Sequence, residues 1–532
     1  MKATLSWLST LGDLAVGARF LGSLPPFLRR RFGVEQAHSI LHKRLERRED
    51  DFLALIGRAV YEQEDSPYRV ILRSIGCEHG DLEYLVRREG VEGALRALLR
   101  QGIYLTVDEL KGRRPVVRGS LTLAVTPSKL RNPLTTTHFT AHSGSATRSV
   151  TIDLANVRDN AVNLCLYLSA RRGLKWDHAL WNVPGSAALD QILRFSLFRS
   201  APVRWFSQVD PSDPRLPPRY RWSGSLMRWA GRLAGVTFPS PEFVPPDSPL
   251  PILDWASAVL RAGRTPHLWT YASAAVRVCR SAREMGVDIS GIRISMSGEP
   301  VTAARVSAVQ QVGATAMPRW GATETGSVGL GCLAPSASDD MHLMHDLIAL
   351  VQPGPAKAVD HLPGDAILIS SLRSSARLVL LNVSTGDRAT VEEGICDCPM
   401  QQLGWPIHLR DVRSFEKLTA GGMTFLDADV IRVLEEVLPA SFGGGPTDYQ
   451  LIEDESGEGH PRLRLLVHPS AGPLDCESVA DTFLTSIGSG SHAERVMELQ
   501  WRDSGLLRVE RRAPIPTASG KILHLHHLRR QP

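Results

Sequence analysis

The chain has 532 residues, of which 43% are hydrophobic and 22% charged, and a net charge of +5. These proportions exclude a disordered chain, a collagen-like chain and a small disulfide scaffold. Basic residues gather only in short clusters, Arg29-Arg30-Arg31 and Lys111-Arg113-Arg114, which read as solvated faces; a nucleic-acid partner is therefore not expected.

The seven cysteines are an odd number in a long chain, which fits a reducing, cytoplasmic compartment where thiols are core residues, catalysts or metal ligands. No segment is apolar over the ~18 residues that a membrane span needs. Met1 to Phe27 is moderately apolar, but Asp13 and Arg19 interrupt it and no cleavage site follows. It reads as a helix that packs on the body or makes a peripheral membrane contact.

Helical spacing continues over Glu35 to Glu49, Asp51 to Tyr61, Asp81 to Arg88 and Val91 to Leu99, with Gly90 between the last two. Residues 1–115 thus form a helical N-terminal extension without evident catalytic groups. From about Gly119, short β-like runs alternate with helices. A strand at Ser120 to Val125 and a helix at Ala155 to Ala170 come first. After a Pro-rich excursion, Pro211 to Pro251, follow Trp255 to Ala262 (helix), His267 to Tyr271 (strand), Ala274 to Met285 (helix), Ile292 to Ser297 (strand) and Ala303 to Val312 (helix). The alternation predicts an α/β fold with mostly parallel sheets, a large domain over 116–409. Beyond it a smaller α+β unit, 410–532, is predicted from a helix at Ala428 to Val437, strands at Tyr449 to Ile452 and Leu463 to Val467, a helix at Cys476 to Ile487 and a strand at Leu506 to Val509.

Five segments carry groups suited to chemistry. The loop Thr140-Ala-His-Ser-Gly-Ser-Ala-Thr-Arg148 has small residues and hydroxyls that suit phosphate oxygens. Met296-Ser-Gly-Glu-Pro300 ends a strand before a helix. Pro318-Arg-Trp-Gly-Ala-Thr-Glu-Thr-Gly326 brings together a ring that can stack on a purine, a hydroxyl, and a carboxylate suited to Mg²⁺. Ser384-Thr-Gly-Asp387 offers a carboxylate to a ribose diol. Pro514-Ile-Pro-Thr-Ala-Ser-Gly-Lys521 places a lysine near the end of a lysine-poor chain. Taken singly, each is an ordinary turn.

Together, and in this order, the five resemble the adenylate-forming superfamily of acyl-CoA synthetases, peptide-synthetase adenylation domains and luciferases. His142 to Thr147 approximates that family's Ser-Gly-Thr-Thr-Gly loop. The likeness runs from about Leu121 to the end. Met341-His-Leu-Met-His-Asp346 and Cys396-Asp-Cys398-Pro are similar to motifs of the phenylacetate–CoA ligase and acyl-protein synthetase branch. The sequence departs from the family at Thr147, where a second glycine is usual, and at Phe415-Glu416, which replaces the acidic hinge pair.

The resemblance implies a large domain that holds ATP and a carboxylic acid, and a small C-terminal lid. Thr140, Ser143, Gly144 and Ser145 would cradle the β- and γ-phosphates, Thr323 would touch the α-phosphate, and Glu324 would hold Mg²⁺. Trp320 and the Gly298-Glu299-Pro300 backbone would flank adenine, Asp387 and Arg413 would hold the ribose, and Lys521 would bridge carboxylate and α-phosphate. The acyl group would pass to a thiol, that of coenzyme A or a carrier protein; an amine acceptor and a non-catalytic nucleotide-binding relative are the rival readings. The acid pocket would lie along Trp255 to Tyr271 and around Met296 and Trp320, faintly suggesting an aromatic or medium acyl group. The branch also implies a structural Zn²⁺ on Cys332, His342, Cys396 and Cys398. From the residues alone the three cysteines are equally small buried apolar side chains, and His345 is an alternative to His342.

Overall fold

A computed structural model describes residues 2–142, 149–183, 185–210, 228–355, 359, 362–415, 417–420, 423–454, 462–489, 495, 498–499, 501–503, 505–517 and 520–528. Its centre is a twelve-stranded sheet. Six of the strands are parallel, in the order Pro241–Phe243, Arg204–Ser207, Asp177–Asn182, Pro266–Tyr271, Arg293–Ser297 and Thr315–Ala322. This half corresponds to the β/α alternation of the sequence. The other half is antiparallel and runs through Gly326–Gly331, Met341–Leu343, Ile407–Ser414, Val383–Glu393, Ala366–Ser371 and Ile348–Val351.

Helices cover the parallel half as the pattern requires. Helix Leu154–Ala170 starts at Asp153, whose carboxylate accepts the Ala155 N–H at 2.8 Å, and buries nearly its whole length. Helix Ser186–Leu197 packs beside it. Residues 211–227 of the Pro-rich excursion lie outside the described residues. Beyond them, Pro241–Phe243 joins the parallel sheet, where an edge position tolerates proline.

The N-terminal helices pack on the large sheet. Leu55, Tyr68, Leu95 and Leu105 share one core with Leu343, Ile369 and Val383 of the antiparallel half. Asn382 fixes this contact by donating to the carbonyls of Leu95 (2.8 Å) and Ile103 (3.1 Å). Phe20, Leu24 and Leu28 of helix Lys2–Arg29 are buried on the body. Among the described residues no helix is long and apolar enough to cross a membrane. At the other end, strand Ile407–Ser414 runs past residue 410, because its pairing with Val383–Glu393 continues to Ser414.

After the hairpin Lys417–Ala420 and Met423–Leu426, the C-terminal unit forms a four-stranded sheet with its own core, including Leu451, Leu465, Phe483 and Trp501. Charge fastens it to the large sheet. Arg305 donates from Nε to Glu435 Oε1 at 2.7 Å, and both side chains are 1% exposed. His524 Nε2 lies 2.6 Å from the same oxygen, and the Thr302 hydroxyl donates to the other. Arg280 pairs with Asp448 nearer the surface.

Burial alone would raise the Glu435 carboxyl, but Arg305, His524 and Thr302 reverse this and hold it at about 2. A carboxyl held below its ordinary value stabilises fully above pH ~4.5 and loses that contribution as pH falls toward ~2. Urea unfolding followed across this window should show a steeper loss for the wild type than for Glu435→Gln. Arg305→Ala leaves the carboxylate buried without its guanidinium and should destabilise by about 3–5 kcal/mol, read in the same assay at neutral pH.

Candidate active site

The parallel strands end together on one side of the sheet, where open α/β sheets form their crevices. Asn182, Tyr271, Ser297, Gly298 and the segment Trp320 to Thr323 line a cavity of about 200 Å³ there. Gly298 makes the turn at its mouth with φ +76°; a Cβ would stand 2.9 Å from Tyr271 Cδ1, so the position needs glycine. The Glu299 carboxylate accepts the Ser273 N–H at 2.8 Å and lies 3.9 Å from Arg305.

Lys521 reaches this turn from the C-terminal unit. Its Nζ donates to the Gly298 carbonyl at 2.8 Å and sits 5.1 Å from the centre of the Tyr271 ring. Burial pushes the ammonium below the ordinary lysine value, and Glu299 opposes that shift. The chain around the lysine is held by Arg277, which donates to the Gly520 carbonyl (2.8 Å), and by Ser273 Oγ, which accepts the Ile522 N–H (3.2 Å).

Trp320 and Thr323 line the cavity, and the Thr323 carbonyl accepts from Arg377 at 3.0 Å. Glu324 opens instead onto a small adjoining space that it shares with Asp159, Asn156 and Asn160 and with Arg373 and Arg377. Asp387 and Arg413 stand on neighbouring strands, with Asp387 opposite Ser414; Asp387 accepts from Thr385 (2.9 Å) and Arg413 donates to Asp339 (2.9 Å). Thr140 lies on strand Phe139–His142, which pairs with Ser149–Ile152. Ser143, Gly144, Ser145, Thr147 and Glu416 lie outside the described residues.

Of Gly298-Glu299-Pro300, Gly298 lines the cavity, while the Glu299 carboxylate and the Pro300 carbonyl face Arg305. The Trp255 ring packs on Phe206 at 6.0 Å and is not among the cavity's lining residues. The cavity is also more polar than expected. Arg194, Arg319, Arg377 and Asp190 all line it. Asp190 binds Arg194 at 2.5 and 2.9 Å and Arg377 at 2.8 Å, while Ser327 Oγ accepts from Arg194 (2.9 Å) and Arg319 (3.0 Å). Two signals stood in the sequence: Arg319 immediately precedes Trp320, and Asp190 and Arg194 have i,i+4 spacing on a helix.

Behind this site, Cys332, His342, Cys396 and Cys398 bring their ligand atoms within 4.8 Å of one another. A tetrahedral ion with Zn–S bonds of ~2.3 Å and a Zn–N bond of ~2.0 Å would set sulfurs about 3.8 Å apart and sulfur and nitrogen about 3.5 Å apart. The Cys332–Cys396 sulfurs are 3.9 Å apart, and His342 Nε2 lies 3.6 Å from Cys396 Sγ and 3.2 Å from Cys398 Sγ. Burial pushes His342 down to about 4, so its ring is neutral, and Nδ1 is 2.6 Å from the Trp405 carbonyl, which leaves Nε2 as the ligand atom. His345 is not in the cluster; it lies beside Arg48 and Glu92.

The crevice, the parallel half and the small C-terminal unit make up a fold that is shared with a solved acyl-CoA ligase. The particular likeness is to 2-hydroxyisobutyryl-CoA ligase, solved in the postadenylation state with 2-HIB-AMP: TM-score 0.52, 14% identity, over 94% of this chain and 91% of that one. The same ligase with R3-HIB-AMP gives 0.49 at 15% identity over 94% and 92%, and an anthranilate CoA ligase with anthranoyl-AMP gives 0.43 at 12% over 72% and 65%. No protein-family model and no curated protein sequence matches the chain.

Gly298→Ala tests the seat of the lysine. The added Cβ would meet Tyr271 and come within 3.3 Å of Lys521 Nζ. With acetic anhydride and peptide mapping, Lys521 should be protected in the wild type relative to the exposed Lys129 and should react like Lys129 in the variant. Equal protection in both proteins would contradict this seat.

Proposed function

We propose that this protein activates a carboxylic acid as its acyl-adenylate and transfers the acyl group to the thiol of coenzyme A. The observation that carries the reading is Lys521, brought from the C-terminal unit to the Gly298 carbonyl at the mouth of a cavity lined by Trp320 and Thr323. The fold shared with a CoA ligase solved with an acyl-AMP supports it, as does the order of the five sequence motifs.

In the first step a carboxylate oxygen attacks the α-phosphorus of ATP, the bond to the bridging oxygen breaks, and pyrophosphate leaves. Lys521 would lie between carboxylate and α-phosphate and offset the charge gathering there. Thr323 would donate to the α-phosphate, Trp320 and the Gly298 backbone would flank adenine, and Asp387 with Arg413 would hold the ribose. Thr140 and the Ser143-Gly144-Ser145 loop would take the β- and γ-phosphates. Mg²⁺ would be held at Glu324, where it would neutralise phosphate charge. In the second step the thiolate attacks the acyl carbon and AMP departs. Because Lys521 occupies the crevice, the C-terminal unit must turn away before a thiol can enter.

The Cys332, His342, Cys396 and Cys398 cluster supports a structural Zn²⁺ and a place in the phenylacetate–CoA ligase-like branch. All four ligand positions are filled by protein, so the ion would staple two segments and hold no substrate.

ATP–pyrophosphate exchange over a panel of carboxylic acids tests the function. Lys521→Ala should lower exchange by on the order of 10²–10³-fold while thiolysis of supplied acyl-adenylate persists. Exchange at the wild-type rate would remove the lysine from the mechanism. Elemental analysis of tag-free protein should find about one zinc per chain, and Cys396→Ser should lower both metal content and melting temperature more than ATP affinity. A metal content near zero would leave these residues as ordinary thiols.

A further inference from the structure

We propose that the acid activated here carries a second anionic group, which Arg319 binds on the floor of the cavity. The proposal rests on the adenylation reading and specifies its substrate.

Of the buried arginines outside the cavity, Arg305 has Glu435 at 2.7 Å and Arg44 has Asp159 at 2.5 Å and Asp346 at 3.3 Å, whereas Arg277 donates to the Gly520 carbonyl and lies 6.0 Å from the centre of the Trp181 ring, with no carboxylate within ion-pair distance among the described residues. In the cavity, arginines outnumber carboxylates. Arg194 and Arg377 share Asp190, and Arg377 also feels Glu324. Even with both carboxylates set against those two arginines, Arg319 is left over. Among the described residues it has no carboxylate within ion-pair distance, although it is 6% exposed. Its Nη2 donates to Ser327 Oγ at 3.0 Å, its guanidinium lies 3.4 Å from the centre of the Trp269 ring, and its buried Nε has no partner. A hydroxyl and an aromatic face orient a guanidinium but do not neutralise it, and an uncompensated buried cation is strongly unfavourable. Burial and the neighbouring Arg194 push its value down to about 9, and Asp190, beyond ion-pair distance, only partly opposes that shift.

Unlike Arg277, Arg319 lines the cavity, and its charge there points to an anion supplied by the ligand, held by a planar, pre-oriented guanidinium. The same cavity is lined at its mouth by Gly298, the Lys521 acceptor, and deeper by Arg319. One carboxylate therefore reacts near Lys521 while the second group meets Arg319. Acids that carry a second anionic group remote from the reacting carboxylate fit this arrangement.

The test is ATP–pyrophosphate exchange with acids paired by shape: succinate with butyrate, glutarate with pentanoate, adipate with hexanoate, and isophthalate with 3-methylbenzoate. At least one diacid should exceed its monoacid partner by about tenfold or more in kcat/KM. Arg319→Gln should reduce that ratio at least tenfold, and Arg319→Lys should restore part of it. Monoacids that match or exceed every diacid partner would overturn the inference while leaving adenylation intact. A diacid preference that survives in Arg319→Gln would overturn it as well. Absence of exchange with every acid would overturn both readings. If the variants fail to fold, the wild-type comparison of paired acids decides alone.

Discussion

Strand Thr315–Ala322 is the constraint on which the rest depends. Its first four residues, Thr315 to Pro318, pair in parallel with Arg293 to Met296; its last four, Arg319 to Ala322, pair antiparallel with the strand that follows. The sheet therefore changes character within one strand. Proline at the change has no N–H to continue the parallel ladder. Past it the strand leaves its parallel neighbour, and a gap opens beyond the end of Arg293–Ser297. Arg319, Trp320 and Thr323 line that gap because the strand bridges the two halves of the sheet.

A second knot ties distant segments together behind the crevice. The Asp346 carboxylate accepts from Asn163 (2.8 Å), from the Trp405 indole (3.1 Å) and from Arg44 (3.3 Å), which belong to three separate stretches of chain. The same Trp405 offers its carbonyl to His342. The orientation of the imidazole in the cysteine cluster is thus fixed through one tryptophan to the N-terminal helices, so those helices are built into the large sheet's support.

How much of this was legible follows from the range of the interactions. Helices such as Leu154–Ala170 and strands such as Pro266–Tyr271 announce themselves by local periodicity, and Gly298 and Lys521 stand within recognisable local motifs. The antiparallel half was less visible because its strands do not alternate with long amphipathic helices that would mark them. Pro241–Phe243 was hidden by prolines that read as loop and are admitted only because the strand ends the sheet. The state of Arg319 could not be read at all: that it has no carboxylate within ion-pair distance among the described residues depends on which residues of remote helices and strands surround it. Glu299 shows the same limit, since only the fold reveals that Ser273 and Arg305 take its carboxylate inward.

The contact between Arg305 and Glu435 has a thermal consequence. Forming it strips water from two charges, and the hydration free energy of charged groups becomes less favourable as temperature rises, whereas apolar burial gains little further. The desolvation penalty of the junction between the C-terminal unit and the sheet thus shrinks on warming. Heat that loosens the apolar cores of the two units therefore acts less against the clasp that joins them.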